Sequence, residues 1–349
     1  MLPDLKPKIK QLLDVSGADA IVIVNSSTPD PNFFYLTRME KSDFSHSVLV
    51  LKRIGMTFIV PKMEYNLAAS QARKAGILVK QFGSFKEMEE LIRKEASGKR
   101  IGLNLSKISV NSFSSLKKIL KGRKFIDISG RIADIRKTKT APEIESISKA
   151  CGIASKVMKE VPKIIKVGMK EREIAAEIDK RLKIYGADVA FPTIVAVGKN
   201  SSNPHYTAGD KKVKKGEFIL VDFGCKVGNY CSDTTRTFIV GKPSAKQKEM
   251  LELCKRIQIE IIKMIRPGVK FKDLQKKANS MCEKRYGKMM HMIGHSLGIE
   301  VHDPMGNTKR LEEGMIIAIE PALYVKELGG VRIEDDILIT KTGCKKLTV

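Results

Sequence analysis

The segment KIIKVGMKEREIAAEIDKRLKIYG (Lys163–Gly186) returns later in the chain as KMIRPGVKFKDLQKKANSMCEKRYG (Lys263–Gly287). Gly168 corresponds to Gly268, and Lys170 and Lys270 each stand two residues further on. Both units end in Tyr-Gly, at Tyr185-Gly186 and Tyr286-Gly287. Each follows an amphipathic helical pattern and precedes a strand-rich stretch. Self-similarity of this kind marks a repeated structural unit. Two halves of helix, helix and strands predict a pseudo-twofold domain with a site between the halves.

Upstream of the repeat the pattern changes. ADAIVIVN (Ala18–Asn25), RIGLNL and KFIDIS (Lys124–Ser129) are predicted strands, and HSVLVLKRIGMTFIVP (His46–Pro61) a hairpin turning near Arg53–Gly55. MEYNLAASQARKAG, SFKEMEELIRKEASG and SVNSFSSLKKILKG carry helical periodicity. Alternation of strands and helices predicts a small α/β domain over residues 1–130. Pro142 followed by Glu143 then signals a fresh helix start. The whole chain is expected to be α+β: an N-terminal α/β domain, then a pseudo-twofold domain over 131–349.

Composition narrows the function classes. The 349 residues are 42% hydrophobic and 30% charged, as in a globular protein. No apolar run approaches the ~18 residues of a membrane span. MLPDLKPKIKQLL lacks the pattern of a secretory signal, and the six cysteines form no C-x-x-C pair. Together these lead to the expectation of a cytoplasmic protein with reduced thiols. The net charge of +25 is carried by lysines scattered through helical patterns, without interleaved aromatics, and Trp is absent. That reads as a solvated surface rather than a nucleic-acid interface.

The chemistry gathers in the repeat domain. EFILVDFGCKVGNYCSDTTRTFIVG (Glu217–Gly241) is predicted to be a hairpin turning at Lys226–Asn229. Asp222 and Asp233 are equidistant from its midpoint, so they are expected to face each other with β-carbons about 5 Å apart. Like charges there are destabilising, and Asp222 has apolar neighbours where an unpaired carboxylate is costly. A metal ion between them resolves the conflict. MIIAIEPALYVKELGGVRIEDDILI (Met315–Ile339) repeats the device: Glu320 and Glu334 are equidistant from Glu327.

HMIGHSLGIEVHD (His291–Asp303) adds three of the chain's five histidines. Gly294 and Gly298 argue against a helix, so HMIGHSLG is predicted to be a strand or bend, with His302 on a strand or loop beyond. Four carboxylates and an imidazole suit two divalent ions such as Mn²⁺, Co²⁺, Fe²⁺ or Zn²⁺. A water between them becomes a hydroxide nucleophile near neutral pH, and the remaining histidines can position substrate.

The ordered set Asp222, Asp233, His295, Glu320 and Glu334, in VDFG, SDTTRTF, GHSLGIEVHD, IEPALY and RIEDD, closely resembles the pita-bread metallopeptidases. That family includes prolidase (Xaa-Pro dipeptidase), Xaa-Pro aminopeptidase, methionine aminopeptidase and creatinase. The resemblance runs from about Ile135 to the C-terminus, including FPTIVAVGKNSSNPHY, and extends more weakly to the N-terminal domain. It implies that those five residues are the metal ligands, with Asp233 and Glu334 bridging and Glu320 also moving protons. It further implies that His205 and His302 meet the substrate, that His302 stabilises the tetrahedral intermediate, and that His291 is a third active-site histidine. Tyr324 and Arg332 match residues supporting the metal shell and substrate. His46, in the first domain, is expected to be structural or at a dimer contact.

The resemblance implies two divalent metal ions, Mn²⁺ or Co²⁺ ahead of Zn²⁺ or Fe²⁺, and a homodimer whose N-terminal domain helps wall the partner's site. Because the metal set is complete, a metallopeptidase is expected rather than a creatinase. Two activities stay open: a prolidase acting on dipeptides, and a Xaa-Pro aminopeptidase acting on longer peptides. Dipeptide specificity calls for an arginine that binds the free carboxylate, and DPMGNTKRLEEGM offers Arg310 alone. A rival of another class is a catalytically degenerate scaffold using its positive charge to bind nucleic acid. Degenerate scaffolds lose ligands, and all five are present here.

Overall fold

The computed structural model describes residues 2–40 and 42–348. It divides into two units, one of residues 1–136 with 305–307 and one of residues 137–304 with 308–349. The expected domain boundary at residue 130 falls within the helix Ser129–Lys137.

The first unit is built on a six-stranded mixed sheet. Its strands are β1 (Ala20–Asn25), β2 (Ser47–Lys52), β3 (Gly55–Pro61), β4 (Leu78–Phe82), β5 (Arg100–Leu103) and β6 (Lys124–Asp127), in the order β4-β3-β2-β1-β5-β6. The hairpin expected over His46–Pro61 is β2–β3, with Lys52 paired to Gly55. The central strand AIVIVN has nearly every residue buried, which explains its run of β-branched side chains. Helices α1 (Lys6–Ser16), α2 (Pro31–Thr37), α3 (Tyr65–Ala75), α4 (Phe85–Glu95), α5 (Val110–Ile119) and α6 (Ser129–Lys137) complete the unit.

The second unit carries the duplication. Helices α7 (Ala141–Ile164) and α8 (Glu171–Ile184) belong to one half, and α9 (Ala245–Met264) and α10 (Phe271–Tyr286) to the other. Thr140 opens α7, its backbone N–H bonded to the Glu143 carboxylate at 2.9 Å. Gly168 and Gly268 adopt φ of 90° and 89°, a conformation that favours glycine. Their N–H groups donate to Val213 O at 2.9 Å and Leu311 O at 2.8 Å. The return bonds, Val213 N–H to Met169 O and Leu311 N–H to Val269 O, also match. The repeat seen in the sequence is therefore a repeat of backbone geometry.

The strands of this unit are β7 (Asp188–Val189), β8 (Ile194–Val197), β9 (Phe218–Phe223), β10 (Cys225–Val227), β11 (Tyr230–Cys231) and β12 (Thr234–Ile239). After α10 come β13 (Gly294–Ser296), β14 (Ile316–Ile319), β15 (Ala322–Val325), β16 (Gly329–Arg332), β17 (Asp335–Ile339) and β18 (Cys344–Lys346). One half holds the sheet β12-β9-β8, the other β13-β14-β17-β18. In each, a long hairpin (β9/β12 or β14/β17) pairs with a short strand (β8 or β13). Val157, Val161, Ile174, Ile178, Val195, Val221 and Phe223 form part of the core between helices and sheet in the first half.

Candidate metal centre

The two hairpins place the carboxylates. In the first, the turn is Gly228-Asn229, with φ of 57° and 66°, a two-residue turn of the I′ kind. Val227 pairs with Tyr230, and Asp222 pairs with Thr235. This corrects the expected register: Asp222 does not face Asp233 directly. Asp233 is displaced from Thr235 by two residues, which keeps both aspartates on one face as diagonal neighbours. The crossing is tight at Gly224, where a β-carbon would lie 1.9 Å from Ser232 O.

The second hairpin has the expected register. Ala322 pairs with Arg332 and Ile319 with Asp335, so Glu320 lies opposite Glu334. The hairpin's strands are interrupted between β14 and β15 and between β16 and β17. Pro321 lacks an N–H to continue the ladder. Glu334 N–H instead donates to Thr235 O at 3.0 Å, joining the two hairpins. His295 lies on β13 opposite Ala318. His302 lies in the following loop rather than on a strand, its ring centroid 4.2 Å from that of His295.

His295 fixes the electrostatics. Its Nδ1 lies 3.1 Å from Ser296 O. A carbonyl only accepts, so Nδ1 carries the hydrogen and Nε2 of the neutral ring presents a lone pair. Burial and the neighbouring His302 pull the imidazolium pKa down to about 4. That lone pair faces Asp233 Oδ2 at 3.6 Å, Glu334 Oε1 at 3.8 Å and Glu320 Oε1 at 3.9 Å. These separations are too long for hydrogen bonds. Ligands each about 2.1 Å from one cation stand roughly 3–4 Å apart. One ligand atom each of Asp233, His295 and Glu334 lie within 4.8 Å of one another.

The carboxylates carry the mark of an uncompensated cluster. Burial, then the charges of Glu334 and Asp222, push Asp233 well above the usual range. Burial and the charges of Glu320 and Asp222 do the same to Glu334. Burial lifts Glu320 to about 8 against the pull of Arg332. Asp222 Oδ1 and Asp233 Oδ1 are buried without a hydrogen-bond partner. Orphaned carboxylate oxygens in a buried oxygen-rich cluster fit a hard divalent cation.

The family comparisons agree with this geometry. Residues 145–341 match the model of metallopeptidase family M24, and residues 7–138 match the creatinase/prolidase N-terminal domain. The chain belongs to metallopeptidase family M24. It is 36% identical over 348 residues to a Xaa-Pro dipeptidase of Pyrococcus horikoshii, covering 98% of this chain and 95% of that protein. The crystal structure of the prolidase from Pyrococcus horikoshii OT3 superposes with a TM-score of 0.88 at 34% identity, over 99% of this chain and 97% of that one. An X-Pro aminopeptidase from Thermotoga maritima gives 0.87 at 30% identity, over 97% of each. The fold is thus the pita-bread fold of the M24 peptidases.

Around the M24 cluster, Arg332 makes a buried ion pair with Asp222 Oδ2. Its Nη1 donates to Tyr324 Oη at 2.7 Å and to Pro204 O at 3.3 Å. Tyr324 Oη lies 3.0 Å from His291 Nε2, while His291 Nδ1 lies 2.8 Å from Met292 O. The carbonyl sets the tautomer again, so the tyrosine hydroxyl donates to His291. An unbroken chain of contacts runs Asp222, Arg332, Tyr324, His291. Burial lowers the His291 pKa, and the charges of Arg332 and His205 add to the effect. His205 itself is exposed.

Arg310 is not brought to this group. It is exposed, bridges Lys270 and donates from Nη1 to Gly268 O at 2.8 Å. Lys212 bridges Lys170 in the other half. Arg310 is therefore the repeat's counterpart of Lys212, spent on holding the turn before α10.

Three supports escaped the sequence reading. Thr235 Oγ1 donates to Glu334 Oε2 at 2.6 Å and accepts from Arg332 Nε at 3.2 Å. Asp336 Oδ2 accepts the Asp233 N–H at 2.8 Å and the Cys151 thiol at 3.3 Å. Asp335 binds Arg236 at 2.7 Å and Lys346 at 2.8 Å. Three consecutive acids, Glu334-Asp335-Asp336, at the head of an apolar strand were the available signal: alternate residues of a strand share a face.

Proposed function

We propose that the chain is a Xaa-Pro dipeptidase, hydrolysing the bond before proline with two divalent metal ions held by Asp222, Asp233, His295, Glu320 and Glu334. The supporting observation is full-length likeness to a curated Xaa-Pro dipeptidase combined with a cluster in which Asp233, His295 and Glu334 bring one ligand atom each within 4.8 Å of one another. The oxygen-rich ligand set favours Mn²⁺ or Co²⁺, with Zn²⁺ or Fe²⁺ as alternatives. Bound metal would polarise the scissile carbonyl and make a water acidic enough to attack near neutral pH.

The protein residues do the rest. Glu320 takes a proton from the water and returns it to the leaving amine. His302, whose ring is tilted 58° to that of His295, stabilises the developing oxyanion. Tyr324 and Arg332 hold His291 toward the substrate, and His205 approaches from the NPHY segment. Asp222 pairs with Arg332, and Thr235 orients Glu334.

A second reading, a Xaa-Pro aminopeptidase, is favoured by one observation. The guanidinium of Arg310, the only arginine of its loop, is engaged with Gly268 O. We also propose a homodimer and a cytoplasmic location, the latter supported by six free cysteines. Among the described residues no helix is long and apolar enough to cross a membrane. The test is Asp233→Ala. Elemental analysis should show metal lost and Xaa-Pro hydrolysis should vanish; undiminished cleavage refutes the assignment.

A further inference from the structure

Glu171, the first residue of α8, is fully buried although it carries a carboxylate. Its oxygens take no metal-facing role. Oε1 accepts from Val197 N–H at 2.8 Å and Asn200 Nδ2 at 2.9 Å. Oε2 accepts from the Tyr206 hydroxyl at 3.0 Å and Gly209 N–H at 3.1 Å. Four donors fill the four lone-pair positions of one carboxylate. Asn200 also donates to the Tyr206 hydroxyl at 2.7 Å.

These four partners are not scattered. Val197 ends β8, Gly209 lies at the far end of the following loop, and Asn200 and Tyr206 lie between. One side chain therefore closes the loop at both ends and ties it twice in the middle. The opposite flank is held by β16. Ser201 Oγ accepts from Gly330 N–H at 2.7 Å, and a β-carbon on Gly330 would lie 2.1 Å from Ser201 O. Between those anchors stand Asn203, Pro204 and His205. Pro204 O accepts from Arg332, the residue paired with Asp222.

We propose that Glu171 is a positioning residue: it sets the height and orientation of the His205 loop over the metal cluster, and so tunes substrate affinity rather than the bond-breaking step. The inference rests on the proposed substrate-facing role of His205. A neutral amide cannot replace this carboxylate, because its NH₂ meets donors on at least one side. Glu171→Gln keeps the volume and releases part of the loop. Tyr206→Phe removes one donor to Glu171 and one acceptor for Asn200, and leaves every backbone anchor.

The experiment measures steady-state hydrolysis of a Xaa-Pro dipeptide by the metal-reconstituted protein, with metal content and amide hydrogen exchange over residues 198–209. Glu171→Gln should raise KM about tenfold, with kcat within about twofold and metal content unchanged. Exchange in the loop should accelerate. Tyr206→Phe should shift KM the same way by a smaller factor. A purely structural carboxylate would lower the active fraction and leave KM and loop exchange alone, and that result overturns the inference. If the wild-type protein cleaves no Xaa-Pro dipeptide, the functional reading fails on its own, and loop exchange still decides the role of Glu171: faster exchange supports it and unchanged exchange refutes it.

Discussion

Stripping the metal with a chelator leaves Asp233 and Glu334 buried beside the half-buried Glu320, with the Arg332 guanidinium already paired to Asp222. Burial holds the Glu320 pKa at about 8 and pushes Asp233 and Glu334 well above their usual range. In the unfolded chain all three titrate near 4. From about pH 4.5 to 8 the folded metal-free protein thus keeps protons that the unfolded chain gives up. Unfolding then releases protons, so stability falls as pH rises through this window. The stability is complete below the unfolded pKa and lost by the time Glu320 ionises. For Glu320 alone, about 1.36 kcal/mol per pH unit over about 3.5 units gives a loss of roughly 4–5 kcal/mol at most. At roughly 2 °C per kcal/mol the Tm should fall by on the order of 5–10 °C. Metal binding at pH 7 should expel protons. Scanning calorimetry of chelated and Mn²⁺-loaded protein between pH 5 and 8 tests the first point. Titration calorimetry in two buffers of different ionisation enthalpy tests the second. A metal-free Tm that is flat or rises with pH, or metal uptake without proton release, would refute the electrostatic reading.

Two substitutions probe the residues around the cluster. His302→Ala should retain metal and lose about 10²–10³-fold in kcat, read by elemental analysis beside turnover; unchanged turnover removes its proposed role. Arg310→Ala should leave KM for a Xaa-Pro dipeptide within about twofold, since its guanidinium holds the Gly268 turn; a large rise in KM would return Arg310 to the substrate.

The parts of the fold and site visible in the sequence were those with local periodicity. The duplication stood out because Gly168 and Gly268 both occupy a backbone conformation that favours glycine. The register of the Glu320 hairpin was legible because its loop is symmetric about Glu327. The Asp222 hairpin was misjudged by one turn position. Val-Gly-Asn-Tyr closes as a two-residue turn at Gly228-Asn229, and the four-residue turn placed on Lys226–Asn229 moved its centre. The site survived because the correction moves the opposed residue by two, keeping every side chain on its face. Thr235 and Glu171 could not be found this way. Their partners lie well along the chain, as Glu334 does from Thr235, and hydrogen bonds between distant segments leave no periodic trace.

The central claim is that these five residues hold metal for cleavage before proline in a dipeptide. Its most direct test is the hydrolysis of a Xaa-Pro dipeptide and of the matching Xaa-Pro-Xaa tripeptide by metal-reconstituted protein, with the chelated protein as control. A metal-dependent kcat/KM about tenfold or more in favour of the dipeptide is the expected result. Equal or faster cleavage of the tripeptide, or hydrolysis that survives chelation, would contradict it.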